Sequence, residues 1–178
     1  MAELDSFQVD LSVPGIGGVS GTWKPDDSER RAAWEMYVEL VTRIAVVKLH
    51  PEEGLLREAL SSLYSVFGST RQILREHGPE VAKPKGGGDL SFGYLSVTVL
   101  NTVLRPVLAK WHPLLLDYES SKKDGISPLE HEKNWSRGEE LRQALEDTRA
   151  RMIKYADTLG EVAGVPSLIS QESKRELG

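Results

Sequence analysis

Four long stretches of this chain, residues 26–50, 51–77, 89–116 and 127–163, place apolar side chains every third or fourth residue and are parted by glycine- and proline-marked breaks. Helices with such stripes and short connections bury them against one another. The pattern therefore predicts an all-α fold, an antiparallel four-helix bundle, over residues 26–165.

The ends of the four stretches carry their own signals. Asp26 and Glu29 have the spacing of a capping box, and the first helix is expected to run from there through Trp34, Tyr37, Val38, Val41, Ile44 and Ala45 to the break at His50-Pro51. Pro51-Glu52-Glu53 reads as the first turn of the second helix, which Gly78-Pro79 ends. The third begins near Asp89 or Ser91, with a kink expected at Pro106 and a break at His112-Pro113. Ser127-Pro128-Leu129-Glu130 opens the fourth, with an interruption near Gly138. Leu141, Leu145, Thr148, Met152, Tyr155, Leu159 and Val162 then form a heptad seam closed by Gly164-Val165-Pro166. Trp34, Tyr37, Tyr64, Phe67, Trp111 and Tyr155 read as core, and Asn101 with Thr102 as a buried hydrogen-bonding pair.

Residues 1–25 read differently. Phe7, Val9, Leu11 and Val13 alternate with Ser6, Gln8, Asp10 and Ser12, which is a strand pattern. A lone strand is unstable, so it must lie on the bundle, pair near Val19–Trp23, or pair with a second copy. The expectation is an acidic extended arm that offers Phe7, Val9 and Leu11 to a partner. Residues 166–178 read as a flexible tail.

Composition excludes several functions. The absence of cysteine removes disulfides, thiolate metal sites and cysteine nucleophiles. Of the net charge of −5, the first 30 residues carry −4, six carboxylates against Lys24 and Arg30. The body is near neutral and has no basic block, which argues against DNA binding. The N-terminal residues lack a signal-peptide pattern, and the most apolar window, Phe92–Leu116, contains Asn101, Arg105, Lys110 and His112. A cytoplasmic protein without a membrane span is expected.

The glycine-rich stretch 15–21 has Ser20 where a dinucleotide fingerprint needs glycine, and no Gly-Lys-Ser/Thr follows. Glu130-His131-Glu132 does not place its side chains on one helical face. No cofactor or metal is expected. Trp135 lies off the heptad seam and is the candidate exposed anchor for an interface.

The sharpest catalytic candidates pair arginine with histidine. Arg105 and His112, with six residues between them, share one flank of the third helix with Asn101, and Arg71 with His77 fits the same motif spacing. This resembles the Arg-x(4–6)-His motif of HEPN-type ribonucleases. The resemblance implies an all-helical, metal-independent ribonuclease, usually dimeric, in which arginine holds the phosphate and histidine handles protons. Proline after Arg105 departs from that motif, where a polar residue is common, whereas Gln72 after Arg71 fits it. Separately, the segments Arg31–Arg43 and Leu100–Pro113 resemble uncharacterised bacterial helical proteins of multigene, defence-type operons, over about residues 22–165.

Two functions follow as expectations. The first is a non-enzymatic protein-interaction or sensing module of a bacterial multicomponent, antiviral-defence system, with a protein partner or a homodimer. The second is the HEPN-like ribonuclease, the one case in which RNA would be a partner.

Overall fold

The computed structural model describes residues 6–12, 15, 17–43 and 47–169. Expectations for residues 1–5, Val13, Pro14, Ile16, Ile44–Val46 and 170–178 lie outside the described residues. Among the described residues the fold is mostly helical, with five helices and a small two-stranded antiparallel sheet.

The strands β1 (Phe7–Asp10) and β2 (Ser20–Trp23) form a hairpin in which Phe7 faces Trp23 and Asp10 faces Ser20. The outer edge of β2 is also engaged, because Leu90 N–H donates to the Thr22 carbonyl at 2.7 Å. The expected outward-reaching arm is thus corrected. Val9, Leu11, Val19 and Trp23 are buried in the chain's own core. Phe7 packs half-buried against that core with the Arg30 guanidinium 5.7 Å from its ring centroid. Burying these apolar side chains at home removes them from any partner surface.

Helix α1 (Asp27–Val41) starts with the expected capping box between Asp26 and Glu29. It ends nine residues before the expected break, with Thr42 Oγ1 donating to Val38 O at 2.7 Å. Pro51-Glu52-Glu53 is a turn rather than a helix start, closed by Glu53 N–H on the His50 carbonyl at 3.0 Å and followed by Gly54 at φ +64°. Helix α2 (Leu56–His77) therefore begins late, without a local side-chain cap. Its cap arrives from a distant residue: the buried Glu132 carboxylate accepts Leu56 N–H at 2.7 Å.

Helix α3 (Phe92–Ser120) is capped by Ser91, as expected, and crosses the core. Where the kink is expected, the helix widens into a π turn at Leu100–Leu104, which ends two residues before Pro106. The wider turn accommodates the proline ring and its missing N–H. The break expected at Pro113 does not occur, and α3 continues to Ser120. Pro113 and Ala109 are both exposed, so the carbonyl that loses its donor faces water. By length and composition α3 could cross a bilayer, but half of its most apolar window is buried, and it carries Arg105 and Lys110.

Helix α4 (Pro128–Lys133) is capped by Ser127 as expected, and the interruption places α5 at Gly138–Ala163. The α5 seam is buried at every expected position except Leu145, which is half-buried. One apolar core joins α1, α2, α3, α5 and the hairpin, with α5 packed most extensively on α1. There Tyr37 lies 3.3 Å from where a Cβ on Gly160 would sit.

Two expected core aromatics face water instead. Trp34 is 42% exposed and Tyr64 is 62% exposed. Asn101 is likewise exposed rather than buried, while Thr102 bonds back to its own helix at Thr98 O.

Candidate functional site

The packing of α2 on α3 leaves a surface groove of about 340 Å³ lined by Tyr64, Phe67, Arg71, Arg105, Leu108 and His112. Three of the sequence candidates thus meet in one place. Arg105 and His112 lie on one flank of α3, and Arg71 faces them from α2. Asn101 completes the set by accepting from Arg105 Nε at 3.0 Å. The Arg105 guanidinium also sits 5.2 Å from the Phe67 ring centroid, a cation–π contact that holds it over the groove. Neither Arg71 nor Arg105 has an acidic partner among the described residues.

His77 does not belong to this groove. Its Nε2 lies 3.0 Å from Glu35 Oε1, which places it between α2 and α1. The structure therefore separates Arg71 from His77 and joins Arg71 to Arg105 and His112.

His112 is set by residues that spacing alone did not reveal. Arg57 NH1 lies 2.7 Å from His112 Nδ1, and the same guanidinium makes a forked pair with Glu119, Nε to Oε1 at 3.0 Å and NH2 to Oε2 at 2.9 Å. Arginine is a donor only, so Nδ1 accepts and the neutral ring carries its proton on Nε2. That Nε2 is buried with no hydrogen-bond partner among the described residues. Burial holds the His112 pKa below its ordinary value; the Arg57 charge acts in the same direction, and Glu119 opposes both. Tyr64 meets the imidazole edge-on, with centroids 5.8 Å apart.

This arrangement positions donors and positive charge but lacks a ready proton acceptor. To act as a general base, His112 would need a free ring nitrogen, and Arg57 occupies Nδ1. The groove thus sets the guanidinium groups of Arg71 and Arg105 beside the exposed ring of Tyr64.

Trp135 is not an exposed anchor. It is half-buried, stacks on Tyr118 with centroids 5.3 Å apart, and meets Trp111 edge-on at 6.1 Å. Tyr118 also stacks on His131 at 4.1 Å, and each of these residues hydrogen-bonds the other's backbone carbonyl, at 2.7 and 2.9 Å. Trp135 and His131 thus pin the α4–α5 junction to the end of α3. Glu132 points inward to cap α2, so Glu130-His131-Glu132 is a helix start with structural duties. Burial raises the Glu132 pKa above the usual carboxylate value, against the backbone N–H groups of Leu56 and Arg57.

A second groove, of about 240 Å³, lies on the other flank of α2 against α1 and is lined by Trp34, Glu35, Val38, Glu39, Gln72 and Glu76 among others. Hydrogen bonding from Ser69 holds Glu39 below the ordinary carboxylate value, with Arg43 acting in the same direction. No protein-family model, no curated protein and no solved structure matches this chain.

Proposed function

We propose that this chain is a non-enzymatic protein-interaction module, with the α2–α3 groove as its docking face and an acidic protein surface as its ligand. The observation that carries the reading is the pair Arg71 and Arg105, unpaired with any carboxylate among the described residues and set in one groove with the exposed Tyr64 and the half-buried Phe67. Positive charge bordered by exposed apolar side chains suits a partner with the opposite charge and an apolar border. The tie between Arg57 and His112 favours binding over proton transfer. Placement in a cytoplasmic bacterial multicomponent system of the antiviral-defence kind is supported by the resemblance of Arg31–Arg43 and Leu100–Pro113. The reading takes α1, α2, α3 and α5 as one antiparallel four-helix bundle whose α2–α3 side is the working face.

One observation favours the ribonuclease as a second reading: Arg71, Arg105 and His112 share a single groove. The same samples separate the two. A fluorescein-labelled peptide of alternating glutamate and leucine is expected to bind the purified protein, with an at least tenfold loss in Arg71→Glu/Arg105→Glu measured by fluorescence anisotropy. Single-stranded RNA is expected to stay intact with and without chelator. Chelator-resistant RNA cleavage that disappears in His112→Ala would overturn the module reading in favour of the enzyme.

A further inference from the structure

The two grooves beside α2 carry opposite charge and open on the same outward face. Taking Arg71 as reference, helical geometry puts Tyr64 and Phe67 on one flank of α2 and Ser69, Gln72 and Glu76 on the other, with Ser61, Ser65 and Gly68 along the ridge between them. The basic flank carries Arg71 and Arg105, and helical spacing puts the exposed Arg75 one turn beyond Arg71. The acidic flank carries Glu35, Glu39 and Glu76. The basic and acidic centres lie at the same height, because Glu39 accepts from Ser69 Oγ at 2.6 Å, only two residues from Arg71. Among the described residues, Glu39 is bound by the largely buried Arg43, Glu35 by His77, and Glu76 by Gln72 alone at 2.8 Å. The ridge is low: a Cβ placed on Gly68 would meet nothing within 4 Å.

From these relationships we infer that the occupant of the α2–α3 groove is a second copy of this chain, in a two-fold dimer whose α2 helices run side by side and parallel. This deepens the interaction-module reading and rests on it. A two-fold axis along the ridge is the arrangement that satisfies both grooves at once. It brings the basic flank of each copy over the acidic flank of the other, whereas antiparallel α2 helices would set like charges face to face. Arg71 and Arg105 of one copy then meet the Glu39 region of the second, and Arg75 meets Glu76 of the second copy. The small ridge side chains let the two α2 backbones approach closely. Trp34 and Tyr64, exposed on opposite flanks, are covered in the same step.

Sedimentation velocity and light scattering on the full chain test this. The expected result is a dimer at low ionic strength whose dissociation constant rises at least tenfold between 50 mM and 500 mM salt. Gly68→Trp, whose Cβ would meet nothing within 4 Å and whose ring would raise the ridge, is expected to give a folded monomer by circular dichroism. Arg71→Glu/Arg105→Glu and Glu35→Arg/Glu76→Arg are each expected to be monomeric alone and to form a one-to-one heterodimer when mixed, since every flank then faces its opposite. A wild-type chain that stays monomeric at high concentration overturns the inference. So does a dimer indifferent to Gly68→Trp and to both reversals, or a pair of reversed variants that fails to combine. If the chain stays monomeric while the acidic peptide still binds through Arg71 and Arg105, the second-copy inference falls and the module reading stands.

Discussion

Arg57 NH1 donates to His112 Nδ1 at 2.7 Å, and this bond determines what the most chemistry-like histidine in the chain can do. Glu119 fixes the guanidinium from the other side through two parallel bonds, so Arg57 is not free to swing away. His112 is thereby a neutral ring with its proton on Nε2.

The pH dependence of stability follows. The folded-state pKa of His112 lies below 6.5, principally through burial and then through the Arg57 charge. As pH falls through 6.5, the unfolded chain takes up the proton first, so the unfolded state gains and stability drops until the folded-state pKa is passed. Above 6.5 both states are neutral and the contribution is flat. Urea unfolding between pH 7.5 and 5 is expected to show this loss, reduced in His112→Gln. Arg57→Met should move the His112 pKa upward, since it removes a positive charge and leaves Glu119 unpaired. A histidine NMR titration that finds the same pKa in both proteins would refute this account of the shift.

Glu29 joins four parts of the fold through one fully buried carboxylate. Its Oε1 accepts from Trp23 Nε1 at 3.2 Å and from Phe92 N–H at 2.9 Å, its Oε2 from Asp26 N–H at 3.0 Å, and Lys85 Nζ forms an ion pair with it. Glu29→Ala would leave two buried donors and a half-buried ammonium without their acceptor, at about 3–5 kcal/mol. Glu29→Gln keeps an acceptor but forfeits the charge and is expected to lose about half as much. Both values come from denaturant unfolding followed by tryptophan fluorescence, and equal stability of the alanine variant and wild type would show that the hub carries nothing.

What could be read from the chain alone divides along local and non-local causes. The α5 seam, the Asp26–Glu29 box and the Ser127 cap are written within a few residues of where they act, and all three are present. Local sequence puts the start of α2 too early, at Pro51, because the cap of the real start, Glu132, lies 76 residues from Leu56. Asn101, Arg105 and His112 share a helical face by spacing, so that flank was legible. That Arg71 joins them while His77 turns to Glu35 depends on how α2 packs between α3 and α1, which no periodicity encodes. The alternation of Phe7, Val9 and Leu11 indicated a strand but not its covering, which needed Leu90 to close the far edge of the hairpin.

Two helical glycines are expected to respond oppositely to alanine. Gly93 lies where α3 enters against the turn Gly78–Ala82, and an added Cβ would sit 2.6 Å from Ala82 Cβ and 3.0 Å from Ala82 Cα. The obstacle is backbone and a side chain with no freedom to retreat, so Gly93→Ala should destabilise by about 1–3 kcal/mol despite alanine's better helix propensity. Gly68→Ala meets open space and should stabilise by up to about 1 kcal/mol. Thermal unfolding of the two variants decides the matter, and the same sign in both would show that the close approach at Gly93 is relieved elsewhere.

The cap that Glu132 supplies to α2 allows a three-way test. Leu56 N–H and Arg57 N–H are among the groups a helix start cannot satisfy internally, and no side chain at Leu55 can reach them. Glu132→Ala removes their acceptor and is expected to cost about 2 kcal/mol. Glu132→Gln keeps an oxygen for Leu56 while removing a buried negative charge. Because burial places the Glu132 pKa above 4.5, the unfolded chain releases its proton at lower pH than the folded one. Stability therefore falls as pH rises from 4.5 through the folded-state value and is flat above it, so the ionised carboxylate is a net burden at neutral pH. Glu132→Gln should escape that decline and lose much less than Glu132→Ala at pH 7. Loss of the α2 cap should also speed amide hydrogen exchange at Leu56 and Arg57 in the alanine variant alone. If glutamine proves as damaging as alanine, the carboxylate's charge, rather than its oxygen, is what holds the start of α2.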